Sequence, residues 1–297
     1  MNILISGGTG FIGKALCHRL TTQGHQLWVL SRQPEKVTQL CGSSVIGINI
    51  DAPIPDNINF QAVVNLAGEG IADKRWSSSR KQQLIDSRIQ TTQKLVDWVK
   101  QASYKPTVFI SGSAIGWYGD QGSQQLDEQS KPRNEFTHRL CQQWEDTAKP
   151  LEDLGVRLCL LRTGLVIGKD GGFLKRMLLP FKMGAGGRMG DGAQWMSWIH
   201  MEDMLGLILF LIDHPTISGP INATAPTSVM NSQFTRVLAK KLNRPAIAHL
   251  PSWFLKGAFG EMATLLISGQ RVLPQKAQSA GYHFVYEELD KALQDIL

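Results

Sequence analysis

The chain has 297 residues, enough for one large or two modest domains with a real core. Hydrophobic residues make up 42% and charged residues 19%, which excludes a disordered chain. The net charge is a mild +6 and the basic residues are scattered, which suits a small anionic ligand and argues against a nucleic-acid partner.

Residues 2–6 read as a short buried strand around Ile3, Leu4 and Ile5. A glycine turn follows at once, Gly7-Gly8-Thr9-Gly10-Phe11-Ile12-Gly13. A helical pattern then runs to Gly24, with Ile12, Leu16 and Leu20 four apart on one face. Residues 26–30 are a second apolar strand. Strand, glycine turn, helix and strand in this order form the setting in which G-x-G-x-x-G binds a dinucleotide. The first glycine permits a tight turn, the middle one lets backbone N–H groups approach a pyrophosphate, and Gly13 lets the helix pack close. The helix N-terminus adds unpaired N–H groups and a positive dipole.

The second strand ends Leu30-Ser31-Arg32. An NAD-preferring site usually carries a carboxylate there for the ribose hydroxyls. A hydroxyl and a guanidinium suit a 2′-phosphate instead, which points to NADP rather than NAD. The alternative is that Arg32 is a solvated loop residue.

Residues 45–50 read as a third strand, and Asp51 after it either contacts the adenine or serves the turn. A fourth strand covers 62–66, and Leu66, Ala67 and Gly68 are small enough at its end for backbone to pass beneath a cofactor. A long helix covers 80–101; Arg88, among its apolar positions, either reaches the cofactor or forms a buried ion pair. The fifth strand, 107–110, delivers the loop Ser111 to Gly119 to its C-terminal end, where ligands bind in open α/β sheets. A helix over 135–154 and a strand over 156–161 follow. The alternation predicts an α/β fold, a Rossmann-type doubly wound parallel sheet.

After Arg162 the pattern changes. The glycine- and methionine-rich stretch 164–192 reads as a flap or loop on the substrate side. Helices are expected at 202–212, 233–242 and 287–296, with a short strand near Ile221. The expected division is an NADP-binding domain over 1–165, with 197–214 packing back onto it, and a smaller, helix-rich C-terminal substrate domain over 166–297.

The four cysteines, Cys17, Cys41, Cys141 and Cys159, form no C-x-x-C pair and read as free thiols in a reducing compartment. No secretory signal and no apolar run long enough to span a bilayer is seen. The expectation is a cytoplasmic monomer or homodimer without a membrane partner. The seven histidines show no metal-ligand spacing, so no metal is expected.

With the glycine turn, the Ser-x-Ser…Tyr-Gly segment and Trp198-Ile199-His200-Met201-Glu202-Asp203 in view, the chain resembles the extended short-chain dehydrogenase/reductase superfamily of nucleotide-sugar epimerases and dehydratases. More closely, it resembles the atypical branch called epimerase family proteins. The matching stretches are Asn65 to Glu69 with Lys74-Arg75-Trp76, Glu135-Phe136-Thr137 with Trp144-Glu145, Leu179-Pro180-Phe181, Trp198-Ile199-His200 and Gly269 to Pro274. The resemblance implies a Rossmann domain, a smaller C-terminal domain and NADP, but no particular substrate.

Active members of the superfamily carry Tyr-x-x-x-Lys on the helix after the fifth strand, where the lysine lowers the tyrosine pKa and the tyrosine moves the proton. Here the corresponding pair is Phe136 with Leu140, or Thr137 with Cys141, and neither can do this. Ser113 and Tyr118, on the loop where the superfamily's serine sits, are the substitutes: Ser113 to hydrogen-bond a carbonyl, Tyr118 to give or take a proton. Ser111 competes for the serine role. His200 reads as structural. Glu69, Lys74 and Arg75 either bind an anionic group or are solvated. Trp76, Trp117, Trp195 and Trp198 fall in predicted loops and either line a pocket or pack the core. Two functions fit: an NADP-dependent oxidoreductase or epimerase acting on a sugar nucleotide or carbonyl compound, and a non-catalytic NADP(H)-binding sensor or regulatory protein.

Overall fold

Seven strands form one parallel sheet: β1 (Asn2–Ser6), β2 (Gln26–Ser31), β3 (Ile46–Asn49), β4 (Ala62–Asn65), β5 (Val108–Ala114), β6 (Arg157–Thr163) and β7 (Gly219–Ala223). The computed structural model in which they are seen describes residues 1–169 and 171–297. Their order across the sheet is β7-β6-β5-β4-β1-β2-β3. The chain starts in the middle, winds out to β3, crosses back to β4 and winds the other way to β7. That reversal leaves a crevice at the C-terminal ends of β1 and β4. The doubly wound Rossmann sheet expected from the alternating pattern is the fold of the molecule.

Both faces of the sheet are apolar because successive side chains point to opposite sides and both sides are covered. Ile3, Ile5, Val64 and Ile110 face α1 (Phe11–Thr22) and α5 (Met201–Asp213). Leu4, Val63, Phe109 and Leu158 face α2 (Ser78–Gln101) and the end of α3 (Phe136–Ala148). A third cluster, around Trp198, Phe234 and Leu293, joins α4 (Gly172–Lys182), α6 (Asn231–Lys241) and α7 (Leu289–Ile296).

Two stretches differ from the sequence reading. Strand β5 continues past Ile110 to Ala114, so Ser111 and Ser113 are strand residues paired with Leu160 and Arg162 of β6 rather than loop residues. Gly112 belongs in that strand because the Trp144 ring packs on it; a Cβ there would lie 2.7 Å from the indole. The stretch 164–192 is not simply a flap. Leu165–Ile167 pairs in parallel with Trp198–His200, and α4 follows. Its glycines seat the Phe11 ring, which a Cβ at Gly168 or Gly172 would approach to 3.1 or 2.8 Å.

Among the described residues no helix is long and apolar enough to cross a membrane. All four cysteines are buried and unpaired by disulfides.

Candidate functional site

The glycine turn is shaped by close approach. Gly7 has a φ of +72°, in the region that favours glycine, and a Cβ there would lie 2.6 Å from the Leu66 carbonyl oxygen. A Cβ at Gly8 would strike the Val29 side chain at 2.8 Å, and one at Gly13 would fall 2.6 Å from the Gly8 Cα. The turn closes through Gly10 N–H donating to the Gly7 carbonyl at 3.0 Å. Gly10 caps α1 with no side chain, and the first turn of α1 holds no acid, so its leading N–H groups are uncommitted. Gly10 is exposed, Thr9 and Ile12 are half-buried, and Phe11 turns toward the glycines of 168–172.

At the end of β2, Ser31 Oγ accepts from the Gln33 N–H at 3.0 Å. Arg32 is exposed and forms no ion pair among the described residues. Asp51 is an exposed turn residue whose N–H donates to Asn49 Oδ1 at 2.9 Å. After β4, Leu66 and Ala67 are half-buried beside Gly7, and Gly68 is exposed, with the Arg88 guanidinium against it.

Among the described residues Arg88 makes no ion pair. Its Nη1 donates to the Leu84 carbonyl at 2.9 Å and its Nη2 to the Glu69 carbonyl at 3.0 Å, so it pins the loop after β4 to α2. Burial pushes its pKa below the ordinary value. Glu69 is itself paired with Arg80, whose hydrogen bond holds the carboxyl below the usual range.

A cavity of about 340 Å³ opens beside the glycine turn. Ile12 and Leu66 line it, with Gly112 to Gly116, and so do Thr137, Leu140, Cys141 and Trp144 of α3. Segments 194–197 and 264–266, Met189 and Gln270 supply more of the wall. Thr137 and Cys141 both line the cavity, whereas Phe136 packs with Leu84, Leu140 and Trp76. Of the two candidate pairs, Thr137 with Cys141 places both members on the cavity, whereas Phe136 with Leu140 places only Leu140 there. Burial pushes the Cys141 thiol up to about 11.

Ser113 lines the cavity and donates its hydroxyl hydrogen to Glu145 Oε1 at 2.6 Å. Glu145 is held by Arg162 through Nε at 2.9 Å and Nη2 at 3.0 Å, and both side chains are buried. With its hydrogen committed, Ser113 cannot donate to a carbonyl; it can accept from a ligand hydroxyl. Ser111, by contrast, is fully buried, and its Oγ has no partner among the described residues.

Tyr118 is not placed as the acid. It is fully buried, donates to Asn222 Oδ1 at 2.7 Å and accepts from Arg162 Nη1 at 3.2 Å. Burial raises its pKa to about 12. The Asn222 backbone N–H in turn donates to Glu128 Oε1 at 3.0 Å.

The tryptophans separate. Trp195 lines the cavity, with the Arg271 guanidinium 4.3 Å from its ring centre. Trp198 is core, Trp76 stacks edge-on with Phe136, and Trp117 lies 3.5 Å under the Arg162 guanidinium. His200 Nδ1 accepts from the Glu202 N–H and caps α5, the structural role read from its sequence context. Lys74 and Arg75 are exposed outside the cavity. The Glu145–Arg162 pair and Asn222 were missed in the sequence. The signal available was Glu145 itself, a charge on the same helical stripe as Cys141 and Ala148.

The chain matches known proteins over its whole length. The model of the NAD dependent epimerase/dehydratase family matches residues 3–223, and a domain of unknown function, DUF1731, matches residues 250–296. The epimerase family protein YfhF of Bacillus subtilis is 37% identical, over 100% of this chain and 98% of its own length. The chloroplastic SDR39U1 homolog of Arabidopsis thaliana is 38% identical over 100% of this chain and 87% of its own. The crystal structure of human epimerase family protein SDR39U1 with NADPH superposes with a TM-score of 0.91 at 33% identity, covering 100% of this chain and 99% of that one. On these matches and on the glycine turn at the head of its sheet, the chain belongs to the NAD dependent epimerase/dehydratase family.

Proposed function

We propose that the protein binds NADP(H) and acts as an oxidoreductase or epimerase on a carbonyl compound or its alcohol. The observation that carries the cofactor is Arg32, exposed and without an ion-pair partner among the described residues, at the end of β2 where an acid would favour NAD. The human relative crystallised with NADPH supports the same reading.

The residues fit the cofactor. Gly7, Gly8 and Gly13 let the turn close against Leu66, Val29 and α1, where any Cβ would strike protein atoms, and the uncapped start of α1 offers N–H groups to a pyrophosphate. In this reading Arg32 and Ser31 take the 2′-phosphate and Asp51 lies toward the adenine. Leu66, Ala67, Gly68, Arg88 and Ser111 sit along the nicotinamide half. Bound there, the cofactor supplies the hydride chemistry. Ser113 accepts the hydrogen of a ligand hydroxyl as its own passes to Glu145, and the Thr137 hydroxyl donates to a carbonyl oxygen. Residues 1–165, with 197–214 packed back onto them and β7 added at the sheet edge, form the cofactor-holding unit; the rest of 166–297 forms the substrate side. Four buried thiols support a reducing compartment such as the cytoplasm.

A second reading has its own support. Thr137 and Cys141 replace the usual proton-transfer pair, and burial keeps both Tyr118 and Cys141 protonated. A non-catalytic NADP(H)-binding sensor would need nothing more.

The test is a titration with NADPH and NADH by nicotinamide fluorescence, on the wild type and on Arg32→Ala. Loss of a paired, charge-assisted contact should weaken NADPH roughly 10- to 100-fold and leave NADH nearly unchanged. Equal loss for both would remove the 2′-phosphate assignment. Addition of carbonyl compounds then separates the readings: oxidation of bound NADPH supports the enzyme, and tight binding that no compound consumes supports the sensor.

A further inference from the structure

Building on the cofactor reading above, we infer that the second ligand of the 340 Å³ cavity is an uncharged, largely apolar carbonyl compound or the matching alcohol, and not a sugar nucleotide. The wall is what carries this. Met189, Trp195, Met196, Leu265 and Leu266 line it on the side chains' apolar surfaces, together with Leu140 from α3.

Among the described lining residues only Arg88 and Glu135 are charged, and their formal charges cancel. Both terminal nitrogens of Arg88 donate to backbone carbonyls, and its guanidinium lies 5.2 Å from the Trp144 ring. Glu135 accepts the Asp120 N–H at 3.0 Å. A sugar nucleotide brings a diphosphate, which needs free guanidinium or ammonium groups or an open helix start. Of the cations nearby, Arg162 is paired with Glu145, Lys81 with Glu261 and Arg176 with Asp73. Arg271 stacks on Trp195 but is not one of the residues that line the cavity. Within the described wall the one cation is Arg88, whose terminal nitrogens already donate to backbone, so a diphosphate buried there would be poorly partnered, which is unfavourable.

Of the other polar lining side chains, Thr163, Ser197, Asn231, Thr264 and Ser268 bond to protein atoms, while Gln194 Oε1 has no partner among the described residues. Two further groups, on Ser113 and Thr137, suit a ligand oxygen. Ser113 Oγ is an acceptor because its hydrogen goes to Glu145, and Thr137 brings a hydroxyl to the same wall. Together they recognise a hydroxyl or a carbonyl, and Trp195 offers a flat face to the ring or chain that carries it.

The experiment uses benzyl alcohol and benzoate, which share a ring and differ in charge, with UDP-glucose as the third probe. Binding to the full chain is followed by tryptophan fluorescence, with and without NADP. Benzyl alcohol should bind about tenfold or more tightly than benzoate, and UDP-glucose should not bind. Trp195→Ala should abolish benzyl alcohol binding and Trp195→Phe should retain it. Benzoate or UDP-glucose binding as tightly as benzyl alcohol would overturn the inference, and so would failure of benzyl alcohol to bind the wild type. If NADPH fails to bind while benzyl alcohol still outcompetes benzoate, only the cofactor reading falls; if NADPH binds and the order of the probes reverses, only this inference falls.

Discussion

The hydroxyl of Tyr118 donates to Asn222 Oδ1 at 2.7 Å, tying the turn after β5 to the edge strand β7 across 104 residues of chain. Arg162 donates to the same hydroxyl at 3.2 Å. Tyr118→Phe should therefore act on folding. Removing the hydroxyl leaves a buried amide oxygen and a buried guanidinium N–H each short of a partner, which costs about 1–3 kcal/mol. Urea unfolding should show that loss, with cofactor affinity and any turnover per folded molecule unchanged. A large fall in turnover at unchanged stability would return Tyr118 to the reacting centre.

Glu145 and Arg162 form a bidentate pair with both side chains about 95% buried, exposed to only 5% and 4%. Two ions in such a place hold each other, and the loss of one leaves the other uncompensated. Glu145→Leu should destabilise by roughly 3–5 kcal/mol. Glu145→Leu combined with Arg162→Met should recover a large part of this, because no lone charge remains buried. Chemical denaturation of the single and double variants measures the difference. Additive losses would mean that the pair is not coupled.

Gly13 sits where α1 crosses the turn, and an added Cβ would fall 2.6 Å from the Gly8 Cα. The obstacle is backbone, which cannot swing aside as a side chain would. Gly13→Ala should push α1 off the turn, lower the melting temperature and weaken NADPH binding by more than tenfold, on the order of 1.4 kcal/mol or above. Gly24→Ala is the control for a glycine at a helix end: nothing lies within 4 Å of its Cβ position, although its φ of +80° carries some strain of its own. Its effect should be confined to stability. Loss of NADPH affinity in both variants alike would mean that crowding at the turn is not what Gly13 avoids.

The glycine turn was legible because its meaning is local: strand, turn and helix adjoin in sequence, and the glycines are needed by neighbours only a few residues away. The strand and helix order was legible from periodicity for the same reason. Long-range packing was not. Ser111-Gly112-Ser113 reads as a loop, yet it is strand, because the small Gly112 is matched to Trp144 on α3. Gly168, Gly171 and Gly172 read as a flap, yet they seat Phe11 from the other end of the chain. Tyr118 reads as a possible acid because its partners Arg162 and Asn222 are 44 and 104 residues away. The switch from donor to acceptor at Ser113 depends on Glu145, 32 residues on, and no local pattern announces it.

His200 gives the fold a pH dependence. It is buried, its Nδ1 caps α5 by accepting the Glu202 N–H, and its Nε2 lies 3.5 Å from Asp295 on α7. Tyr286 packs on the ring at 3.9 Å between centres. Burial is the largest influence and lowers its pKa; Asp295, Asp203 and Glu202 oppose that, and Lys169 adds to it. A histidine with a lowered folded pKa takes its proton more readily in the unfolded chain. Its contribution to stability is thus fully present above the unfolded value of about 6.5 and is lost as pH falls through the lower folded value. The melting temperature should be flat from about pH 7 to 8 and fall as the pH drops below about 6.5. His200→Asn keeps a side-chain acceptor at the helix cap and removes the titration, so its melting temperature should fall less steeply over the same range. His25, whose pKa burial also lowers, accounts for part of the slope that remains. An unchanged slope in His200→Asn would assign the acid sensitivity to other groups.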